Sequence, residues 1–552
     1  MPTIIPRTLY AAMQLPLLVA LGASVLFLIL LQMRPIRRPL ARAIRRHGAL
    51  VLVTASALTV GVYAAVLGWY LTLPNFAGEV EPTVTSISWL ASRGAPLYHG
   101  MEAASRYSVL YGPAIFLING WLMQLLGPSA ASAKLAGVLA GASSMVFLYL
   151  AIRTVLSHRM TLFLCAIAVF LCFIHGPFSY LSRPDPLLLT ATSFALLCAV
   201  QRSKWLGTLG LAAATAWSID MKIHGFIYLL VPFAIHLRRH GMRHTLGAAG
   251  LGGILALAPF VLLPNVSLSN YALWLREAAR HGLDGATFQK TLRFALFMLL
   301  PLGLASRQGS NSERLPLAAL AASYVTVLFF ASKPGAGLNH LLPLIPPTLF
   351  MIACMMRSEG LASLEACARL GRVRQAAVMG VLFTTLFLGV VAEAKCMQRL
   401  HRSAQRGESV LSDLRTVVRQ HPELTIAMAY GGEGVEYELT FYRPHLLFAG
   451  QPLLVDIIAC MESQRSRRPL SAETYEALQS GAVQLWLVPK GGKPFQKKNW
   501  YPPHQNVFPP DFVDILLERY RRRESSEYFD LWFYEEQIDV EPAAASAAPA
   551  RS

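Results

Sequence analysis

Two carboxylates, Glu79 and Glu81, follow a long apolar segment at about residues 49–73 and stand two positions apart in Gly78-Glu79-Val80-Glu81. An ionisable group at the edge of a bilayer is costly to remove from water, so residues placed there are candidates for function. On extended backbone, side chains two positions apart point to the same side. Such a pair can serve as a general base with a supporting acid, or hold a divalent cation. The alternative is an incidental pair of solvated loop acids.

The run Arg183-Pro184-Asp185-Pro186 places an acid beside a base at a turn between two apolar segments. The prolines predict the end of one helix and the start of the next. Asp185 is therefore a second candidate acid. An acid in the first turn of a helix is also stabilised by the helix dipole, so a structural role stays open.

Cationic side chains that also lie next to apolar segments form a third candidate group. Its members are Lys222, His224, Lys333, His340, Arg183 and Arg106. Lys333 and His340 flank the turn Pro334-Gly335-Ala336-Gly337, and cations beside exposed backbone amides suit a phosphate or pyrophosphate. A snorkelling lysine at Lys222 and a capped helix start at His340 are the structural alternatives.

The composition identifies the setting of these residues as a membrane. The chain has 552 residues, of which 54% are hydrophobic and 14% charged, with a mean hydropathy of +0.44. These values exclude an ordinary soluble enzyme and predict a polytopic membrane protein. The net charge of +18 comes from Lys and Arg between apolar segments, which is typical of cytoplasmic loops, and no nucleic-acid-binding motif accompanies it.

Loop charges predict about twelve crossings of the bilayer, with the basic loops on the cytoplasmic side. The predicted spans are residues 9–31, 49–73, 132–152, 160–180, 186–201, 205–220, 225–237, 245–264, 291–305, 315–331, 341–356 and 375–394. One apolar run, residues 111–127, is left over. A full crossing there would move every later basic loop outward, so we expect it to lie along or dip into the outer interface. Residues 74–131 then form one large outer loop with interfacial helices.

The composition changes after about residue 395. Mixed polar sequence predicts a small outer α/β domain over residues 395–540, with strands near 425–430, 483–489 and 528–534 and helices near 409–420, 472–480 and 511–522. Residues 1–48 are an additional N-terminal helix with a basic loop, and residues 49–394 are the main membrane module. The tail at 541–552 is low-complexity and is expected to be disordered.

Several other classes of site have no support in the sequence. There is no HExxH, no CxxC pair and no GxSxG, so zinc protease, redox and serine hydrolase chemistry are not indicated. Gly431-Gly432-Glu433-Gly434 lacks the GK[ST] ending of a phosphate loop and predicts a turn. Of the seven cysteines only Cys396 and Cys460 are placed where they could pair, and nothing in the sequence shows that they do.

With these motifs the chain resembles the GT-C superfamily of polyprenyl-phosphate-sugar-dependent membrane glycosyltransferases, which includes protein O-mannosyltransferases and the lipid A aminoarabinose transferase. The resemblance covers roughly residues 45–350. It rests on FAGEVEPTVTSISWLASRGAPLYHG, YSVLYGPAIFLINGWLMQLLG, SRPDPLLL and KPGAGLNHLLPLIP. The first motif has Glu-Val-Glu where the family commonly has adjacent Asp-Glu, and Tyr111-Gly112-Pro113 stands where the family often has a lysine before Pro-Pro.

The resemblance implies a glycosyltransferase with an inverting mechanism. A first-loop carboxylate, Glu81 or Glu79, would take the proton of the acceptor hydroxyl, and Asp185 would orient the acceptor or a metal. Cationic side chains would bind the phosphate of the donor, namely Arg183, Lys222, His224, Lys333, His340 and Arg106. A divalent cation, Mg or Mn, is a possible cofactor, with Glu79, Glu81 and Asp185 as its candidate ligands.

The expected partners are a polyprenyl-phosphate-linked sugar donor, a glycan, lipid or protein acceptor, and membrane lipids, with no nucleic acid. The expected location is the bacterial inner membrane, with the site and the C-terminal domain facing the periplasm. Two other functions stay open, a transporter or flippase of lipid or polysaccharide and a non-catalytic envelope-assembly protein. Transporters place ionisable groups near the bilayer midplane, whereas here they gather at one mouth, which favours the transferase.

Overall fold

A computed structural model of the chain describes residues 15–305, 313–358, 371–432, 434–500 and 505–536. Glu433, Cys367, the tail at 541–552 and parts of the basic loops at 307–314 and 357–374 lie outside the described residues, as does the start of the first predicted span. The chain divides into two compact units. One holds Met1–His99 and Ser108–Glu408, and the other holds Gly100–Tyr107 and Ser409–Ser552.

All helices and strands assigned among the described residues of the first unit are helices. Its helices are α1 Pro16–Gln32, α2 Arg34–Thr72, α3 Val80–Ser92, α4 Pro113–Leu126, α5 Ala130–Arg153, α6 His158–His175, α7 Pro184–Ala199, α8 Lys204–Met221, α9 Leu230–His240, α10 Met242–Leu255, α11 Ala258–Leu262, α12 Leu268–Ala279, α13 Gly285–Ala305, α14 Arg314–Ala331, α15 Ile345–Ser358 and α16 Arg372–Gln420, the last of which continues into the second unit. Short 3₁₀ segments at Pro177–Ser179, Gly225–Leu229 and Leu338–Leu344 precede α7, α9 and α15.

Seven helical segments in the described part of the chain are long and apolar enough to cross a membrane. They are His47–Thr72, Ala130–Arg153, His158–His175, Met242–Leu262, Arg314–Ala331, Leu338–Ser358 and Arg372–Gln420. Three further apolar helices, α1, α4 and α7, are shorter. Apolar helices of this length bury their backbone polar groups within themselves, which a bilayer requires. The predicted helical polytopic architecture is confirmed, and the protein is an integral membrane protein.

The first long connection, between α2 and α5, carries two helices, α3 and α4, that pack on each other. Gly120 of α4 makes the close approach possible, because a Cβ at this position would lie 2.7 Å from the carbonyl oxygen of Ser88 in α3. Pro113 opens α4 in the first turn, where a missing N–H costs least. The loop also reaches α8, since the N–H of Gly112 donates to the carbonyl of Met221 at 3.1 Å. Residues 74–131 therefore contain the two helices α3 and α4, and their position at the membrane interface stays a prediction.

The second unit contains a four-stranded sheet in the order β1-β2-β4-β3. Its strands are β1 Ile426–Met428, β2 Leu485–Pro489, β3 Tyr520–Ser525 and β4 Phe529–Tyr534, and its helices are α17 Arg443–Phe448, α18 Ile457–Arg465, α19 Ala472–Gln479 and α20 Pro510–Arg519. β1 and β2 are parallel, and the other two pairings are antiparallel. Alternate residues of β2 enter opposite cores, with Leu485 and Leu487 on one face and Trp486 and Val488 on the other.

The α/β character of this unit is confirmed, with one error at its end. A helix was expected over residues 511–522, but α20 stops at Arg519 and Tyr520 begins β3. The hydroxyl of Tyr520 donates to the carbonyl of Val483 at 2.7 Å, and β3 pairs with β4. All β3 residues after Tyr520 are exposed, so the segment lacks the alternation that identifies a strand in a sequence.

Candidate active site in the helical unit

Asp185 lies at the centre of a buried charged cluster in the first unit. Pro184 and Pro186 open α7, and Arg183 precedes the helix in extended conformation, so the acid stands in the first turn. The carboxylate is fully buried. Its Oδ1 accepts hydrogen bonds from Lys222 Nζ at 2.9 Å and Asn339 Nδ2 at 3.2 Å, and its Oδ2 accepts one from Arg183 Nε. One carboxylate thus holds two cations and an amide from three separate segments.

The two cations are held in place by aromatic rings as well as by Asp185. Lys222 Nζ lies 5.7 Å from the centre of the Tyr111 ring, and the Arg183 guanidinium lies 4.5 Å from that of Phe178. Cations over aromatic faces gain electrostatic attraction where water is scarce. Burial lowers the pKa of Lys222, while the charge of Asp185 opposes that change. The cluster therefore presents two positive groups whose positions are fixed before a ligand arrives.

His224 and His340 extend the cluster as a stacked pair. Their rings are 5.2 Å apart and 16° from parallel, and His224 also stacks on Phe330 at 4.6 Å. Within the described residues, Nε2 of His224 and Nδ1 of His340 are buried without a hydrogen-bond partner. Burial, followed by the charge of Lys222, lowers the pKa of His224 to about 3. Two ring nitrogens beside fixed cations are thus available to a ligand.

The two first-loop carboxylates have different surroundings. Glu79, which precedes α3, is partly exposed and is an electrostatic neighbour of the Arg183 guanidinium. Glu81 is fully buried, and its Oε2 accepts from the backbone N–H groups of Ala77 at 2.9 Å and Gly78 at 2.8 Å. Its Oε1 accepts from the Ser182 N–H at 2.9 Å and from the Tyr70 hydroxyl.

Glu81 therefore joins three parts of the chain, namely the end of α2, the first loop and the turn that leads to Asp185. Burial raises the pKa of Glu81, and the hydrogen bonds from Tyr70 and Ser182 oppose this rise. Lys134 of α5 lies nearby and donates to the carbonyls of Tyr70 at 3.1 Å and Leu73 at 2.7 Å. Because four donors engage its two oxygens, Glu81 fixes the loop that carries Glu79.

Two of the predicted anion-binding residues, Lys333 and Arg106, each donate a hydrogen bond to a backbone carbonyl outside this cluster. Lys333 is an electrostatic neighbour of His224, but its ammonium donates to the carbonyl of Ala278 at 3.2 Å. Arg106 belongs to the second compact unit. It is fully buried there, and its guanidinium donates to the carbonyl of Met101 at 2.7 Å. Within the first unit, the structure thus brings together Arg183, Asp185, Lys222, His224 and His340.

The architecture matches that of a solved membrane enzyme. The structure of ArnT from Cupriavidus metallidurans, which is bound to undecaprenyl phosphate, superimposes with a TM-score of 0.51 at 14% identity, covering 88% of this chain and 98% of that one. The chain has the GT-C fold. EmbB from Mycobacterium smegmatis aligns over 62% of this chain and 41% of its own at 12% identity, with a TM-score of 0.43. The Archaeoglobus fulgidus oligosaccharyltransferase aligns over 81% of this chain and 70% of its own at 12% identity, with a TM-score of 0.42.

No family model and no curated protein matches the sequence. The agreement with ArnT, at 14% identity, is thus one of fold. Within the GT-C fold seen here, the charged cluster stands where the first loop, the turn before α7, the end of α8 and the 3₁₀ segment at Leu338–Leu344 meet.

A divalent cation does not fit the carboxylates of this GT-C fold as they stand. In the described part of the chain no three His, Cys, Asp or Glu side chains gather in a way that could hold a metal ion. Asp185 already accepts from two cations and an amide, and Glu81 from four donors. Hard divalent cations need several oxygen ligands that are not engaged elsewhere.

Sequence reasoning did not find Asn339, Lys134, Tyr70 or Ser182 as part of this site. Asn339 stands beside His340 in the predicted outer turn, so its neighbourhood was a usable signal. Lys134 and Tyr70 lie within apolar runs, where a lysine or tyrosine is usually an interfacial residue. Ser182 acts through its backbone N–H, which no side-chain pattern reveals.

Proposed function

We propose that this protein is a membrane glycosyltransferase that transfers a sugar from a polyprenyl-phosphate donor to a cell-envelope acceptor at the outer face of the membrane. The observation that carries this proposal is the cluster of Lys222, Arg183 and the stacked imidazoles around Asp185, beside the partly exposed Glu79, in a GT-C fold. Preorganised cations next to an accessible carboxylate suit a reaction in which a phosphate leaves as a nucleophile loses its proton.

The cations provide the site for the donor phosphate. Asp185 neutralises only part of the charge of Lys222 and Arg183, so a phosphate diester can add its own negative charge beside them. Nδ1 of His340 and Nε2 of His224 are further candidate partners for its oxygens. ArnT, which has the same fold, is bound to undecaprenyl phosphate, and this supports a lipid phosphate as the ligand class.

Glu79 is the proposed general base. The acceptor hydroxyl gives its proton to the Glu79 carboxylate as its oxygen forms a bond to the anomeric carbon of the donor sugar. The bond between that carbon and the phosphate oxygen breaks, and the electron pair leaves with the lipid phosphate, so configuration inverts. Lys222 and Arg183 stabilise the charge that develops on the leaving phosphate. Glu81, which four internal donors engage, supports Glu79 and does not contact substrate.

Removal of one cation tests the phosphate site. Purified full-length protein in lipid nanodiscs is titrated with undecaprenyl phosphate, and Lys222→Gln is compared with Lys290→Gln, a change at an exposed lysine of α13. We expect at least ten-fold weaker binding for Lys222→Gln and wild-type binding for the control, since a charge-assisted hydrogen bond is worth roughly 1.5–3 kcal/mol. Equal binding by the two variants would remove Lys222 from the donor site.

Envelope analysis tests the reaction itself. A deletion strain should lack one defined sugar of the cell envelope, the wild-type gene should restore it, and Glu79→Gln should not. Restoration by Glu79→Gln would exclude that residue as the base. An unchanged envelope in the deletion strain would point to one of the non-catalytic functions instead.

A further inference from the structure

Asp220 is a second buried acid near the candidate site that the proposed mechanism does not use. It stands in the last turn of α8, two residues before Lys222. Asp220 is 7% exposed as a residue, and within the described part of the chain no hydrogen bond or salt bridge to its carboxylate is observed. An ionised carboxylate is costly to bury unless donors surround it, and the hydroxyl groups of a bound ligand could supply such donors.

Two tyrosines face this carboxylate. Tyr98 and Tyr271 are electrostatic neighbours of Asp220, and their rings are 4.7 Å apart with planes 36° from parallel. The Tyr98 hydroxyl donates to the carbonyl of Tyr111 at 2.7 Å. The Tyr271 hydroxyl, by contrast, is buried without a hydrogen-bond partner among the described residues. The Asp220 carboxylate and the Tyr271 hydroxyl are thus buried neighbours, and among the described residues neither has a hydrogen-bond partner.

The surroundings hold these groups in place. A Cβ at position 112 would lie 2.2 Å from the carbonyl oxygen of Asp220, so Gly112 lets the first loop lie directly on the end of α8. Asn270 of α12 donates to the carbonyl of Tyr98 at 2.9 Å, and Phe260 stacks on Tyr271 at 5.4 Å. Asp220 and Tyr271 therefore lie in a well-packed part of the protein.

The chemistry of these groups identifies a class of ligand. A carboxylate accepts hydrogen bonds from two neighbouring hydroxyls, a phenol can donate or accept, and aromatic faces pack against C–H groups. Hydroxyl-rich sugar rings supply all of these partners. We propose that Asp220 and Tyr271 bind hydroxyl groups of a sugar ring during transfer, beside the phosphate-binding Lys222. This inference rests on the proposed function, and the ring belongs either to the donor or to the acceptor.

Thermal unfolding of the full-length protein in detergent gives a first test that needs no activity. If Asp220 binds a ligand, its carboxylate is unpaired in the free protein and contributes no hydrogen bond to the fold. Asp220→Asn should therefore leave Tm unchanged or raise it by a few degrees. The matched control is Asp456→Asn. Asp456 is also buried, but Arg443 Nε and the N–H of Ile458 donate to it at 3.1 and 2.9 Å, so this change should lower Tm. A clear fall in Tm for Asp220→Asn would identify a structural acid and overturn the proposal.

Sugar transfer gives the second test. Asp220→Asn and Tyr271→Phe should each reduce kcat/KM at least ten-fold, while the affinity for undecaprenyl phosphate, which carries no sugar, stays at the wild-type value. A rise in the KM of the lipid-linked donor assigns the ring to the donor, and a rise in that of the acceptor assigns it to the acceptor. Normal transfer by both variants would overturn the proposal. If the wild type itself transfers no sugar, the proposed function fails, and the sugar site fails with it whatever the Tm values.

Discussion

Both oxygens of Glu81 accept hydrogen bonds within the protein, whereas Glu79, two positions earlier, is partly exposed beside Arg183. The sequence predicted a functional pair but left open which acid is the base, because spacing says nothing about where each side chain finds donors. The donors of Glu81 include the N–H groups of Ala77, Gly78 and Ser182, and backbone groups leave no mark in a sequence. The division of roles therefore depends on tertiary contacts.

Glu81→Gln tests the supporting role at this scale. Glutamine keeps the size of the side chain but replaces one accepting oxygen with an NH₂ group that faces N–H donors. We expect a loss of about 2–3 kcal/mol, since hydrogen bonds to charged groups are worth roughly 1.5–3 kcal/mol each. Thermal unfolding in detergent measures the effect, and Glu79→Gln is the control with an expected change within about 0.5 kcal/mol. Equal stability of the two variants would contradict the assignment.

His224 makes stability depend on pH in a known direction. Its pKa is lowered from 6.5 to about 3 by burial and by Lys222, so below pH 6.5 the unfolded chain takes up a proton that the folded protein does not. Uptake of this proton by the unfolded chain lowers the free energy of unfolding as the pH falls from 6.5 toward 3. Above pH 6.5 His224 is neutral in both states and causes no such loss. Between pH 6.5 and 5.5 the loss should be about 1 kcal/mol, within the limit of ~1.4 kcal/mol per unit.

His224→Phe should remove that part of the pH dependence while keeping the stack on Phe330. Unfolding followed at pH 7.5, 6.5 and 5.5 measures the slope. A His224→Phe variant with the same slope as the wild type would show that the imidazole is charged in the folded protein.

Among the elements, α5 and the turn at residues 179–182 set the position of the site. Gly137 of α5 lies against this turn, and a Cβ there would be 2.3 Å from the carbonyl oxygen of Leu181. The hydroxyl of Ser182 also donates to the carbonyl of Ala133 at 2.8 Å. The turn that ends in Arg183 and Asp185 is thus pressed onto the backbone of α5. A glycine inside an apolar helix could be recognised in the sequence, but its backbone partner could not.

Gly137→Ala should therefore displace the turn and with it Arg183 and Asp185. We expect a loss of stability of more than about 2 kcal/mol and a loss of sugar transfer. The clash is with backbone atoms, which cannot move aside as easily as the end of a flexible side chain. Gly250→Ala is the matched control. Gly250 lies inside α10 with no atom near its Cβ position, so alanine there should stabilise by up to about 1 kcal/mol. Equal Tm values for the two variants would mean that α5 and the turn are not held at this contact.

For the whole molecule, the apolar segments and the change in composition near residue 395 were enough to predict a helical membrane module and an α/β part. They could not predict that Gly100–Tyr107 belongs to the second compact unit. This segment is joined to it by backbone hydrogen bonds, from the N–H of Arg106 to the carbonyl of Leu454 at 2.7 Å and from the N–H of Asp456 to the carbonyl of Arg106 at 2.8 Å. Pairing between residues some 350 positions apart carries no local signal.

The loop charges also predict on which side of the membrane each unit ends. Basic loops stay in the cytoplasm, so the loop between α5 and α6 should face inward and the second unit outward. Ser157 in that loop and Ser480 after α19 are both exposed. Cysteine at either position can therefore react with a maleimide that does not cross membranes. The six described native cysteines are buried or half-buried and should contribute little background.

In intact spheroplasts we expect labelling of Ser480→Cys and none of Ser157→Cys, and after permeabilisation we expect both to react. This result would place the second unit and the mouth that holds Glu79 and Lys222 on the outer face, where a lipid-linked donor meets an envelope acceptor. The unsubstituted chain measures the background. The opposite pattern would put the cluster on the cytoplasmic side, and a transferase of the outer face would then be ruled out even if Lys222 binds undecaprenyl phosphate.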